Sequence, residues 1–320
     1  MRCSLVSRLL RIEYWMLPRG YAAEVSKRSE ETKGFFYGLA SYLGWGFAPL
    51  YWPLLQPSSP YEVLAHRVVW SVAFLLILNT AMRTWAPVRR AWASPRTRRL
   101  LCLAAVLITI NWGLYIWSVN HEHVVDASLG YFITPFVSVA MGVFLLGERM
   151  RPLQITALAI AFVSIVILTL DAHQVPWIGL ILASTFGSYG LVKKLAQVEA
   201  IASLTIETMV AFPFGFAYLL WLAQHHELAF LHTSVGHSLT VLSAGIITAV
   251  PLLGFGAAAV RVPLVTLGLM QYFSPVVQFL VGVLIIGEAM TSSRWIGFVL
   301  LWVGLAIYTT DMVRHSRRQR

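Results

Sequence analysis

From Gly34 almost to its end the chain is a succession of apolar runs, each close to 20 residues, and no other feature narrows its folding options as far. An α-helix rising 1.5 Å per residue needs about 20 residues to cross about 30 Å of hydrocarbon. Ten such runs can be placed, at about 34–55, 61–82, 99–119, 127–147, 152–170, 176–195, 202–224, 238–259, 263–286 and 294–312. In lipid every backbone amide and carbonyl needs a partner from the protein itself, which leaves helices and closed barrels. The runs lack the alternating pattern of barrel strands and are about twice as long. The expected fold is therefore an all-α integral membrane protein. Composition agrees: 58% of the residues are hydrophobic and only 12% charged, too few charges to coat a soluble domain of this size.

Lysine and arginine sort the loops. With both termini cytoplasmic, 22 of the 24 basic residues fall on the inner side, Arg294 falls outside, and Arg67 lies within a span. The net charge of +10 is thus an orientation signal, and nucleic acid is not an expected partner. An odd number of spans would put the two basic tails on opposite sides. Both termini are expected on the cytoplasmic side of the membrane. Residues 1–33 hold seven basic and four acidic side chains and no spanning run or leader pattern. Glu24 to Lys33 reads as disordered, and the extension reads equally as a functional segment or as an over-extended start with Met16 as the alternative first residue. Residues 313–320 form a basic cytoplasmic tail.

The chain repeats itself. At a shift of 140 residues Pro135, Gly142, Gly147, Glu148 and Asp171 meet Pro275, Gly282, Gly287, Glu288 and Asp311. Two five-helix units follow, 34–171 and 172–312, and five being odd, the second enters the membrane from the opposite side. Inverted halves that exchange conformations close a pathway at one face or the other, which is the geometry of alternating access.

Polar residues inside spans are costly in lipid and should face a cavity or another helix. Tyr131, Pro135 and Ser138 share one face of the fourth span, and Gln271, Pro275 and Gln278 one face of the ninth. Either these are two kinked helices lining a substrate cavity, or their prolines serve packing alone. Asn111, Tyr115 and Ser118 share a face of the third span, with Trp112 deep and Trp117 near the outer interface. Arg67 and its repeat partner Glu207 lie about 9 Å from opposite surfaces, hence about 12 Å apart along the membrane normal, and separate roles are expected. Arg67 belongs with Tyr131 in the outer half, attracting an anion or holding a gate. Glu207 belongs with Gln271 and Tyr189 in the inner half, taking up a proton in a coupled cycle. The plainer reading is that Arg67 snorkels outward and Glu207 pairs with Lys193 or Lys194. Glu148 and Glu288, each after a glycine, suit capping of a helix N-terminus. Gly34, Gly38, Gly179, Ala183 and Gly187 are packing signals. Seven outer-loop histidines show no recurring ligand spacing, so no metal and no cofactor is implied.

The segments His66 to Ser71, Asn111-Trp112, Trp117 to Asn120, Ala127 to Pro135, Gly147-Glu148-Arg149, Tyr189 to Lys194, Ile206-Glu207-Thr208 and Leu267 to Pro275 carry a resemblance. They resemble the RarD subgroup of EamA-type transporters in the drug/metabolite transporter superfamily, over nearly the whole chain. The resemblance implies ten helices in two EamA units and secondary transport of small molecules. A small-molecule substrate, the lipid bilayer, a proton as coupling ion and a second copy in a homodimer are the partners carried forward. Two other classes stay open: a membrane-embedded enzyme using His121, Glu122, His123 and Asp126, and a receptor or scaffold without flux.

Overall fold

Serine-proline pairs start the second and third spans. Ser59 caps by accepting from the Glu62 amide at 3.2 Å with Pro60 in the first turn, and Ser94 accepts from Thr97 at 3.4 Å with Pro95 following. Proline costs nothing there, because the first-turn amides lack intrahelical partners anyway. In the computed structural model, which describes residues 19–121, 123–172, 177–287 and 292–318, these signals open long helices. In chain order they are α1 Arg19–Gly46, α2 Ala48–Tyr51 with a 3₁₀ turn Trp52–Leu55, α3 Pro60–Met82, α4 Trp85–Ala93 and α5 Pro95–Asn120. Then come α6 Val124–Leu146, α7 Pro152–Ala172, α8 Trp177–Ala196, α9 Ala200–Gln224 and α10 Val235–Ala259. The last are α11 Leu264–Met270, α12 Phe273–Val281 with a π turn Gly282–Ile286, and α13 Ser292–Arg318.

Among the described residues six helical stretches are long and apolar enough to cross a bilayer: Pro60–Met82, Pro95–Ser118, Ala200–Gln224, Val235–Ala259, Leu264–Ile286 and Trp295–Met312. Gly130–Leu146 and Pro152–Ile167 are shorter apolar stretches. The fold is an all-helical membrane fold.

Two expectations change. The segment Glu24 to Lys33, read as disordered, continues α1 as helix. Glu30 is the reason: it accepts from Lys33 one turn on at 2.6 Å and from Arg261 at the end of α10 at 2.8 Å. Those two cations hold its carboxyl below the ordinary carboxylate range, Lys33 foremost. The ninth span, read as one helix kinked at Pro275, is broken earlier. Gln271, Tyr272 and Ser274 donate to Gly268, Leu269 and Gln271, three residues back in each case, at 3.1, 3.4 and 3.2 Å. This tightening ends α11 and lets Pro275 sit in the first turn of α12, where its missing N–H is harmless. Pro135, its repeat partner, leaves α6 continuous.

The principal packings are α3 on α9 and α10, α5 on α8, α6 on α8 and α11, α1 on α10 and α12, and α7 on α13. Each joins a helix before residue 172 to one after it. Small residues permit the approach, because in lipid close van der Waals contact replaces the hydrophobic drive. A Cβ on Gly130 would lie 3.0 Å from the Gly179 backbone, and one on Gly187 2.8 Å from Val137. At the α3–α10 crossing Ser71 donates to the Gly245 carbonyl at 3.0 Å. A Cβ on Gly245 would clash with the Trp70 backbone carbon.

Gly245→Ala is expected to force these two helices apart and to cost about 1–3 kcal/mol. Melting of the purified protein in detergent reads this as a lowered transition. Gly113→Ala is the matched control, since an added Cβ there meets nothing within 4 Å.

Candidate functional site

Two polar clusters sit toward opposite ends of the bundle, called outer and inner here as the cation distribution orients them. Arg67 lies seven residues into α3, about 10 Å from its outer end. Its guanidinium is held between the Trp52 and Trp112 rings, 4.8 and 4.5 Å from their centroids, and its Nε donates to Thr248 Oγ1 at 2.9 Å. Tyr131, Tyr115 and Tyr51 lie within electrostatic range of the guanidinium. Tyr115 and Tyr131 meet edge to face at 5.7 Å, and Tyr131 keeps 43% of its surface. The cluster thus gathers α3, the turn after α2, α5, α6 and α10. Arg67 and Tyr131 come together as expected. Trp52 and Thr248 are additions that no local pattern in the sequence marks.

One turn before Arg67, α3 carries a clasp that sequence reasoning missed. Glu62 accepts from the backbone amides of Ala229 and Phe230 at 3.1 and 3.0 Å, tying the α9–α10 loop to the outer end of α3. The Trp70 indole N–H donates to His66 Nδ1 at 3.2 Å. The indole can only donate, so Nδ1 is the acceptor, and Nε2 on the other side of the ring faces Glu62 at 3.6 Å.

Glu207 anchors the inner cluster. Its carboxylate accepts from Lys193 at 2.6 Å, Ser203 at 2.6 Å and Tyr189 at 2.8 Å. The Lys193 and Glu207 side chains are each only 2% exposed. The pairing with Lys193 is the plainer of the two sequence readings, and it removes Lys193 from the solvated inner flank to which the charge count assigned it. Tyr189 stacks on Phe255 at 5.6 Å, beside Phe186 and Trp45. No ion pair joins Arg67 and Glu207 among the described residues. They occupy separate clusters, as their depths require.

A seam of α6 against α11 lies between the clusters. Gln271 Nε2 donates to Ser138 Oγ at 3.3 Å while its Oε1 has no partner among the described residues. A Cβ on Gly268 would lie 3.1 Å from the Pro135 carbonyl oxygen. The faces read as lining a cavity are pressed together here, with Pro135 and Pro275 buried. Gln271 is therefore placed in this seam, with Ser138 as its partner. Gln278 turns to the Trp45 carbonyl at 3.3 Å. Asn111 serves the α5–α8 contact, donating to the Leu182 carbonyl at 2.8 Å and to Thr185 at 2.9 Å.

Glu148 caps a helix N-terminus, but not that of the helix following it. Gly147, at φ +66°, ends α6 and turns Glu148 toward α11, where its two oxygens accept from the Leu264 and Val265 amides at 2.8 Å each. A carboxylate at that end satisfies orphan donors and meets the positive end of the helix dipole. Lys194 donates to the Val262 carbonyl at 2.6 Å and lies 3.7 Å from Glu148. Glu122, Glu288 and the side chain of Asp126 lie outside the described residues.

A model described as the EamA-like transporter family matches residues 32–170. Protein RarD of Streptomyces exfoliatus is 49% identical over 292 residues, covering 91% of this chain and 93% of that protein. An uncharacterized transporter of Vibrio cholerae serotype O1 is 39% identical, covering 92% and 97%. Protein RarD of Escherichia coli K12 is 38% identical, covering 90% and 98%. A solved crystal structure of a protein 17% identical in sequence covers 88% of this chain and 98% of its own at a TM-score of 0.69, a likeness of fold.

Removing one member of the inner pair leaves the other charged and buried. Lys193→Met is expected to destabilise the protein by about 3–5 kcal/mol, and Lys193→Met combined with Glu207→Met to recover most of that loss. Unfolding of the three proteins in one detergent checks it.

Proposed function

The chain belongs to the EamA-like transporter family, in its RarD group, and from that premise we propose that it is a secondary active transporter. In this reading it moves small metabolites or drugs across the bacterial inner membrane by alternating access between two inverted five-helix units. The observation that carries the reading is the exchange of packing partners. Swapping each span for the one five places on turns α5 on α8 into α10 on α1, and α6 on α8 into the ninth span on α1. It leaves α3 on α9, α6 on α11 and α7 on α13 as themselves. All of these packings are present. Tyr272, the repeat partner of Phe132, also sits with its hydroxyl 3.5 Å from the Phe132 carbonyl, as two residues astride a twofold axis would.

The two clusters then mark the two ends of one pathway. Arg67, Trp112, Tyr115 and Tyr131 form its outer part, with Tyr131 still accessible. Pro135, Gln271 and Pro275 form the shut middle, Asn111 braces the wall, and Tyr189 and Glu207 close the inner part. The Glu148 clasp holds the inner ends of α6 and α11 together. In this reading a proton on Glu207 weakens its attraction to Lys193 and loosens the inner cluster, which makes the proton the expected coupling ion. The relatives' transporter names speak for this class over a membrane-embedded enzyme or a receptor.

Counterflow in liposomes, with amino acids, purines, sugars and amphenicols tested with and without a pH gradient, decides between them, because only a transporter exchanges internal label for external substrate. Arg67→Ala and Glu207→Gln, in protein shown to be folded and inserted, are each expected to lower exchange about tenfold or more, the scale of losing about 1.4 kcal/mol. Near-normal exchange in both variants would sink the pathway assignment.

A further inference from the structure

We propose that the Arg67 cluster binds the carboxylate of a small organic monoanion that carries a flat apolar body. The guanidinium carbon lies over the Trp52 ring at 4.8 Å and over the Trp112 ring at 4.5 Å, and its Nε is committed to Thr248. What remains free is the edge bearing the two terminal nitrogens. Neither donates to a described residue, and neither is among the buried polar atoms lacking a partner. No carboxylate among the described residues lies within ion-pair distance of Arg67. Glu62, one turn away, is committed to the Ala229 and Phe230 amides.

A cation inside a span without a counter-ion is costly, and every other buried cation described here has one: Lys193 has Glu207. Arg67 is instead held rigidly with its fork edge open. Two parallel N–H groups match the two oxygens of a carboxylate, which a lysine in the same place would not do. Tyr115 and Tyr131 supply the rest of the pocket: an edge-to-face aromatic wall at 5.7 Å, with hydroxyls that hydrogen-bond to no described residue. Aromatic rings arranged this way favour a planar apolar group.

The inference deepens the transport reading but is tested without it. Isothermal titration of the full chain in detergent compares benzoate with benzamide, benzylamine and phenylalanine, which keep the ring and change the charge. Benzoate is expected to bind at least about tenfold more tightly than each of the others. Arg67→Gln is expected to reduce benzoate binding to the benzamide level while leaving benzamide unchanged, and Arg67→Lys to fall between. Melting of each ligand-free variant shows whether it has folded; should Arg67→Gln fail to fold, the four ligands on the unaltered protein decide alone. Benzamide or benzylamine binding as tightly as benzoate, no benzoate binding, or unchanged benzoate binding by folded Arg67→Gln would each overturn the proposal. Benzoate binding without counterflow of benzoate would count against transport and leave the site standing. Counterflow of other solutes without benzoate binding would do the reverse.

Discussion

A polar group in hydrocarbon has no water to turn to, and in this protein some of the partners that join distant helices come from the other half of the chain. Ser71 reaches the Gly245 carbonyl, Asn111 the Leu182 carbonyl, Ser41 the Pro251 carbonyl at 2.7 Å and Arg151 the Asp311 carboxylate at 2.6 Å. Glu148 extends the rule from side chains to a helix end, because the donors it satisfies open α11. The close crossings at glycines make this possible, since side-chain hydroxyls and amides reach only as far as the backbones allow. Position in the membrane, packing and polar satisfaction are therefore one problem solved by the same contacts.

The charged groups show the two ways such a problem can be met. Glu207 is satisfied within the protein, by a lysine, a serine and a tyrosine on two neighbouring helices. Arg67 is oriented by the protein, with aromatic faces and one threonine, and is left incomplete. A completed charge favours the closed arrangement that completes it, whereas an incomplete one favours whatever arrives to finish it. The first is suited to holding an end shut and the second to waiting for a solute.

What could be read from sequence followed from local rules. The all-helical fold, the glycine contacts and the separation of Arg67 from Glu207 needed only helix rise, side-chain size and the sense of each span. Tyr131 near Arg67 and Tyr189 near Glu207 followed from depth. The missed features share a cause: each depends on which distant backbone group happens to be unsatisfied. Nothing near Glu62 announces that the Ala229 and Phe230 amides need an acceptor, and nothing near Glu148 points to Leu264. Lys193 beside Lys194 reads as a solvated flank until α9 brings Glu207 against it. The break at Gln271 falls at the carbonyl four residues before Pro275, the one that the proline cannot satisfy.

The crossing of the two halves also governs how the molecule is made. The helices up to residue 172 enter the membrane first, and their principal neighbours do not yet exist. Ser71, Asn111 and Glu148 have no lasting partners until the later helices have left the ribosome. Insertion and folding are thus separated in time, and the first half must remain soluble in lipid as loosely associated helices. A chain cut between α7 and α8 would consequently yield two pieces, neither of which holds its own structure, but which together contain every contact needed to assemble.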